Sequence, residues 1–109
     1  MAKQTKQQEP MAQVPAAIAE HPLFPVFVRA IEQTMYGKGE RHGGAATLFM
    51  EQPWTYLAEL HGRGFLTGQS CKKLGEAAAG KNGEEFVHEA LGAIVYAGMS
   101  IIKEEQDAE

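Results

Sequence analysis

A wide apolar stripe in the C-terminal third of the chain restricts the possible folds more than any other feature. Apolar and small residues recur every three or four positions on two neighbouring faces: Phe86, Ala90, Ile94, Ala97 and Ile101, and Val87, Leu91, Val95, Gly98 and Ile102. This spacing predicts a helix whose apolar surface is either central in the fold or part of a subunit interface. Its most apolar part, residues 90–102, is short for a membrane span and favours a buried core helix.

Two earlier segments have the same helical spacing. In the first, the apolar face is formed by Phe24, Phe27, Val28, Ile31 and Met35. This face predicts a helix over Pro25–Met35 that stops at Gly37. A second helix opens with Pro53 at its first position, and we expect one long, bent helix from there to Ala79. The alternative is two helices separated by a hinge at Gly62–Gly64.

These segments together predict an all-α fold: a short N-terminal helix, a glycine-rich loop and an antiparallel helical hairpin. No segment alternates apolar and polar residues with the period of a strand. We expect residues 1–20 to be a disordered tail, residues 21–105 to form one helical domain, and residues 106–109 to fray.

The size of the folded part and a run of small residues predict association of chains. A folded unit near ninety residues has a modest core and is marginal alone. The second helix has small residues on one face: Gly64, Gly68, Cys71 and Gly75. Interior glycines weaken a helix, so they suggest a compensating close contact. We therefore expect a homo-oligomeric helical assembly.

The composition excludes several functional classes. A net charge of −4 argues against general nucleic-acid binding, so any phosphate contact must be local. The one cysteine, Cys71, cannot form an intrachain disulfide, which suits a reducing cytosol. The N-terminus has no apolar signal segment, and we expect a cytoplasmic protein without membrane contact.

The segment Tyr36–Gly44 is the main candidate for a binding site. It has four glycines in nine residues, with Lys38, Arg41 and His42 among them. Glycines expose backbone N–H groups and the cations add positive charge, as a phosphate requires. The loop is neither a P-loop nor a dinucleotide fingerprint, because no strand precedes it and no Gly-Lys-Ser/Thr follows. The alternative is a surface loop that only connects helices.

Arg63 extends this candidate site. It lies between two glycines, so a ligand can reach its guanidinium and the backbone together, and a guanidinium can hold a phosphate through two parallel hydrogen bonds. Tyr36 and Trp54, close to either end of the loop, are candidates for stacking on a base. The predicted ligand-binding residues are Tyr36, Lys38, Arg41, His42, Trp54, His61 and Arg63. Lys72–Lys73 adds positive charge, unless all these cations are solvated and pair with neighbouring glutamates.

No catalytic residue, metal ligand or cofactor is predicted. No two histidines lie three or four residues apart. The pair Glu84–His88 could join His61 in a metal site, but such a pair is more often a solvated helix face. The all-α nucleotide pyrophosphohydrolases bind metal through E-x-x-E and E-x-x-D clusters, and the carboxylates of this chain do not have that spacing.

Four segments resemble small uncharacterised proteins of phages and prophages: Tyr36–Gly44, Gln52–Trp54, His61–Leu66 and Leu91–Met99. The resemblance covers roughly residues 22–103 and supplies no established activity. It implies a short accessory protein in the cytoplasm of a bacterial host. Proteins of that kind often sequester nucleotide signals of immunity, or block a defence complex by contact.

Three functions are compatible with these patterns. The first is a non-enzymatic, phage-type binding protein that sequesters a phosphorylated or nucleotide ligand, such as a bacterial immune signal. The second is a protein-interaction inhibitor of a bacterial defence complex, with a host protein as its partner; the acidic balance and the apolar stripe of the last helix favour it. The third is a divergent all-α nucleotide pyrophosphohydrolase, which the carboxylate spacing disfavours.

Overall fold

The computed structural model of this protein describes residues 13–36 and 48–109. Within these ranges all regular structure is helical, which confirms the predicted all-α fold. In chain order the helices are α1 (Ala16–Ala19), α2 (Phe24–Met35), α3 (Pro53–His61), α4 (Arg63–Ala78) and α5 (Gly83–Ala108). A short 3₁₀ turn, Phe49–Glu51, precedes α3.

Helix α2 has the bounds that its sequence predicts, to within one residue. Pro25 lies in its first turn, where a missing N–H removes no helical hydrogen bond. The helix ends at Tyr36, whose backbone is extended and whose N–H still donates to the carbonyl oxygen of Glu32 at 2.9 Å.

The predicted long helix over residues 53–79 is wrong, because the chain forms two helices that separate at Gly62. Gly62 has φ 77° and ψ 176°, a conformation that residues with a Cβ rarely adopt. Its N–H donates to the carbonyl oxygen of Ala58 at 2.7 Å and closes α3. Helix α4 starts at the next residue, so the alternative with a hinge at this glycine is confirmed.

Helices α4 and α5 form an antiparallel hairpin, the most extensive helix pair of the fold. Asn82 caps α5, because its Oδ1 accepts from the N–H of Glu85 at 2.9 Å. The Glu85 carboxylate in turn accepts from the N–H of Lys81 at 2.6 Å. These bonds occupy donors that would otherwise be unsatisfied at the turn. Further along the hairpin, the Ser70 hydroxyl donates to the carbonyl oxygen of Ala93 at 2.8 Å.

The core lies where α3, the start of α4 and the second half of α5 meet. Its buried members are Trp54, Ala58, Leu66 and Met99, with Phe49, Phe65, Val95, Tyr96 and Ile102 packed against them. Among the described residues, Leu66 is the one large side chain that is fully buried. So small a core leaves a chain of this length marginally stable.

Helix α5 continues to Ala108, through most of the segment 106–109 that the sequence predicted to fray. Charge pairs within α5 and with other helices support this end of the helix. The Lys103 ammonium donates to Asp107 at 3.0 Å and to Glu59 of α3 at 3.1 Å. Arg63, at the start of α4, forms an ion pair with Glu104. These contacts offset the repulsion among the terminal acids, which local sequence does not reveal.

Two short elements also differ from the sequence-based expectations. Helix α1 forms inside the segment predicted to be a disordered tail, with the N–H of Ala19 donating to the carbonyl oxygen of Pro15 at 3.0 Å. The 3₁₀ turn forms in the segment 37–52, where no regular element was predicted. Residues 1–12 and 37–47, which include most of the glycine loop, lie outside the described residues.

Candidate functional site

An open groove lies between α2 and the second half of α5, beside the 3₁₀ turn. We name it the α2–α5 groove. Its volume is about 690 Å³, within the range of sites that take ligands or side chains of a partner. The apolar side chains that line it include Phe27, Ile31, Met35, Leu48, Ile94 and Ile101.

Helical spacing places these side chains on one side of each helix. Phe27, Ile31 and Met35 follow one another at intervals of four residues, so they stack along one face of α2. The exposed fractions are 47% for Phe27, 56% for Ile31 and 59% for Ile101 of α5. Contiguous exposure of large apolar side chains usually marks an interaction surface.

The groove has few polar groups to offer a ligand. Only Thr34 and Gln52 contribute polar side chains to its described lining, and none of the lining side chains is charged. The Thr34 hydroxyl donates to the carbonyl oxygen of Ile31 at 2.7 Å, and the Gln52 amide donates to the carbonyl oxygen of Thr34 at 3.4 Å. A phosphorylated ligand would lose its hydration here without gaining partners, whereas apolar side chains would gain from burial.

The predicted anion site is only partly within the described residues. Lys38, Arg41 and His42 lie in the range 37–47, outside them. Tyr36 ends α2, directly after a residue of the α2–α5 groove, and is 56% exposed. Its phenol is therefore accessible, and its role as a ligand-binding residue stays a prediction.

Trp54 lies in the core. It is only 7% exposed, and its indole N–H donates to the carbonyl oxygen of Phe49 at 3.0 Å. The centroids of the two rings are 5.2 Å apart. The indole is therefore engaged in core packing under the 3₁₀ turn, and a base could stack on it only if that turn moved away.

His61 and Arg63 lie on either side of Gly62, at the junction of α3 and α4. The His61 ring is 6.1 Å from the ring of Phe65, measured between centroids. The Arg63 guanidinium pairs with the Glu104 carboxylate, and both side chains are more than half exposed. Helix α4 begins here without a side-chain cap, so its first N–H groups and its dipole favour negative charge beside Arg63.

Lys73, predicted to add positive charge to the anion site, is part of the helical hairpin. Its ammonium lies 3.2 Å from Glu89 and 3.4 Å from Glu76. Across α5, His88 Nδ1 is 3.3 Å from the Gln33 amide nitrogen, and this contact links α5 to α2. Within the described residues, no group of three or more His, Cys, Asp and Glu side chains is arranged to hold a metal ion.

The stripe of small residues on α4 borders open space. A Cβ added at Gly64, Gly68 or Gly75 would meet no atom of the described residues within 4 Å, and Cys71 is exposed. The close contact predicted from these residues is therefore not made by the described part of the chain. A contact with a second chain stays a prediction.

Helix α5 is long and apolar enough to cross a membrane, judged by length and composition alone. Only 11% of its most apolar window is buried. This is a weak indication, since core helices of globular proteins pass the same test. Two charged residues of α5, Glu89 and Lys103, pair with side chains of α4 and α3. Apolar side chains of α5 that face the groove, such as Ile101, remain exposed to solvent.

Sequence reasoning did not identify the groove residues as a site. Phe27 and Ile31 belong to the predicted apolar face of α2, and such a face usually packs on a core. The signal that pointed to a site was the width of the stripe in α5. A helix with two apolar faces needs two covering surfaces, and a short α2 covers only part of the second.

No protein-family model, curated protein or solved structure matches this chain. The resemblance to phage accessory proteins stays a prediction. The functional conclusion therefore rests on the chemistry of the groove and of the charges around it.

Proposed function

We propose that this protein is a non-enzymatic protein-interaction module whose α2–α5 groove binds an apolar helix face of a partner protein. One observation carries the proposal: α2 and α5 share an exposed apolar surface whose few polar side chains already donate to backbone carbonyls. Grooves of this kind accept amphipathic helices whose apolar residues recur at i, i+3 or i+4, and i+7.

The expected affinity follows from the apolar side chains that remain uncovered. Phe27, Ile31 and Ile101 are about half exposed, so covering each gains about 1 kcal/mol, half of a full burial. Met35 and Leu48 add similar amounts, and the partner's own side chains roughly double the total. Association itself costs about 4–15 kcal/mol. At the low end of this cost the balance is on the order of −6 kcal/mol, which corresponds to a dissociation constant of roughly tens of micromolar.

The resemblance of four segments to phage accessory proteins supports a bacterial host protein as the partner. Inhibition of a defence complex by contact is the corresponding biological outcome. Such an inhibitor needs no catalytic residues, because it acts by occupying a surface that the host complex uses for its own assembly.

Binding of a labelled helical peptide with leucine at i, i+4 and i+7 tests the proposal. Fluorescence anisotropy measures its affinity for the wild-type protein and for two variants. Ile31→Glu places a charge in the groove and should weaken binding by about tenfold or more. Leu60→Glu is the matched control, since Leu60 is 59% exposed on α3 and does not line the groove. If Ile31→Glu and Leu60→Glu bind the peptide with equal affinity, the groove is not the binding site.

A second candidate function is the anion binding predicted from the sequence. The specific observation in its favour is the uncapped start of α4 beside Arg63. A phosphate there would have to displace the Glu104 carboxylate from the guanidinium. Calorimetry with inorganic phosphate, AMP and a cyclic dinucleotide should then show tighter binding for Glu104→Gln and loss of binding for Arg63→Ala. Unchanged heats in both variants would exclude Arg63 from such a site.

A further inference from the structure

We infer that the partner helix is basic as well as apolar: its apolar residues enter the α2–α5 groove, and its lysines or arginines lie over the C-terminal end of α5. This inference rests on the groove as a protein-binding site. It adds the chemistry that selects one amphipathic helix over another.

Helix geometry places a carboxylate directly beyond the groove. Glu105 follows Ile101 by four residues, so the two side chains are neighbours on the same face of α5. Ile101 lines the groove, and Glu105 is exposed one turn beyond it. A helix lying along the groove would therefore bring its last turn within reach of the Glu105 carboxylate.

The described residues around Glu105 carry a net negative charge. The last turn of α5 has no basic residue, and the exposed backbone carbonyls at its end add to the negative charge. Among the residues that the structure describes, the nearby cations are already paired: Lys103 donates to Asp107 and Glu59, and Arg63 pairs with Glu104. Glu51, exposed on the 3₁₀ turn next to the groove, has the same sign. A partner cation is thus attracted to this end, and attraction of this kind mainly sets specificity and association rate.

The same charges disfavour a second copy of this chain as the occupant. Helix α5 has acids at both ends, with Glu84 and Glu85 in its first turn and Glu104 and Glu105 near its last. Two copies packed through α5 would oppose carboxylates to carboxylates in either direction. Juxtaposed like charges cost several kcal/mol, roughly, when they are desolvated. An anionic lipid surface would be repelled for the same reason.

Three peptides with one apolar face and different flanking residues test the inference on the full chain. The flanks are lysine, glutamine or glutamate. We expect the lysine peptide to bind at least about tenfold tighter than the glutamate peptide at about 50 mM salt, and the difference to shrink at about 300 mM salt. Equal affinities would overturn the basic partner and leave the groove in place. No binding by any peptide would overturn the groove itself.

Charge variants of the protein separate a local effect from net charge. Glu105→Lys should weaken binding of the lysine peptide by about fivefold, because it reverses the charge next to Ile101. Glu84→Lys makes the same change in net charge at the opposite end of α5 and should alter affinity by less than about twofold. If both variants lose the same affinity for the lysine peptide, the effect comes from net charge, and the proposed contact at Glu105 would be overturned.

Two further measurements address the other occupants of the groove. Light scattering of the wild type and of Ile31→Glu should give the same molar mass across micromolar concentrations, and a wild-type dimer that Ile31→Glu dissociates would place a second copy in the groove and overturn the inference. Co-sedimentation with vesicles of phosphatidylglycerol and phosphatidylcholine should leave the protein in solution. Sedimentation that Ile31→Glu abolishes would identify lipid as the occupant and overturn the inference.

Discussion

The two sides of α5 differ in how completely the chain covers them. Toward α4, contacts reach along the whole hairpin, and a Cβ added at Gly92 would lie only 3.3 Å from a carbon of Lys73. Toward α2, Ile101 remains 59% exposed, although it belongs to the same apolar stripe. Helix α4 has 16 residues and α2 has 12, and a 3₁₀ turn completes the second side only in part.

This difference separates a surface that specifies the fold from a surface left for a partner. The covered side combines close packing with directed polar contacts, such as the Ser70 hydroxyl on the Ala93 carbonyl. Such contacts allow one arrangement of the two helices. On the open side, the Gln33–His88 contact between α2 and α5 lies outside the groove. The groove itself presents mainly apolar side chains, so it can accept varied apolar shapes, and charge at its end must supply the selectivity.

The largest expected effect is on the covered side. Leu66→Ala removes the fully buried leucine of α4 and should lower the free energy of unfolding by about 3 kcal/mol. Leu74→Ala is the matched control, since Leu74 lies on the same helix with 56% of its surface exposed. This variant should change the free energy of unfolding by less than about 0.5 kcal/mol. Urea unfolding measures both. Similar losses in the two variants would mean that the sides of the hairpin do not differ as described.

The helix junction should show the next largest effect. Gly62→Ala forces a Cβ into φ 77° and should destabilise the fold by about 1–3 kcal/mol, although no atom obstructs it. Gly68→Ala changes an exposed glycine inside α4, where alanine is the better helix former, and should stabilise by about 0.5–1 kcal/mol. Thermal unfolding followed by circular dichroism distinguishes these opposite signs. A stabilising Gly62→Ala would contradict the break between α3 and α4.

The Lys103 contacts predict a smaller effect, a loss of folding stability of the wild type as the pH rises in the alkaline range. The hydrogen bond to Asp107, and then that to Glu59, raises the pKa of Lys103 above 10.5. Because the folded pKa is raised, this stabilisation is complete below the unfolded pKa and is lost as pH rises through the folded value. The urea midpoint of the wild type should therefore fall above pH 10.5.

Two variants isolate this contribution. Lys103→Met should have a lower midpoint than the wild type at pH 8, and the difference should narrow as pH rises beyond the pKa of the lysine. Lys72→Met, on the exposed side of α4, should parallel the wild type throughout. A constant offset between wild type and Lys103→Met across the alkaline range would show that the charge does not contribute.

The smallest effect on stability should come from the open side. Ile101→Ser should lower the free energy of unfolding by about 1 kcal/mol or less, because more than half of its surface is exposed already. The same variant should weaken binding of the lysine peptide by about fivefold. Chemical denaturation and anisotropy on one preparation measure both values. A large loss of stability would place Ile101 in the core and not in a binding surface.

The bounds of α2 and the C-terminal end of α4 could be predicted to within one residue, because they follow from local spacing, proline and glycine. The break at Gly62 could not be decided locally, since a glycine within a helical pattern fits both a hinge and a close helix contact. The sequence placed Trp54 close to one end of the loop and did not predict its burial. Its burial depends on Phe65 and Met99, which lie on other helices.

Local sequence by itself determined the helical class, the apolar stripe of α5 and the presence of cations beside glycines, since each is a matter of residue type and spacing. Only the tertiary structure decided which of the charged side chains are paired and which of the apolar side chains are buried. Arg63 and Lys103 have acidic partners far away in the sequence, while Ile31 and Ile101 have too few neighbours to be buried. Burial and pairing depend on contacts between distant segments, and one helical pattern is compatible with either outcome.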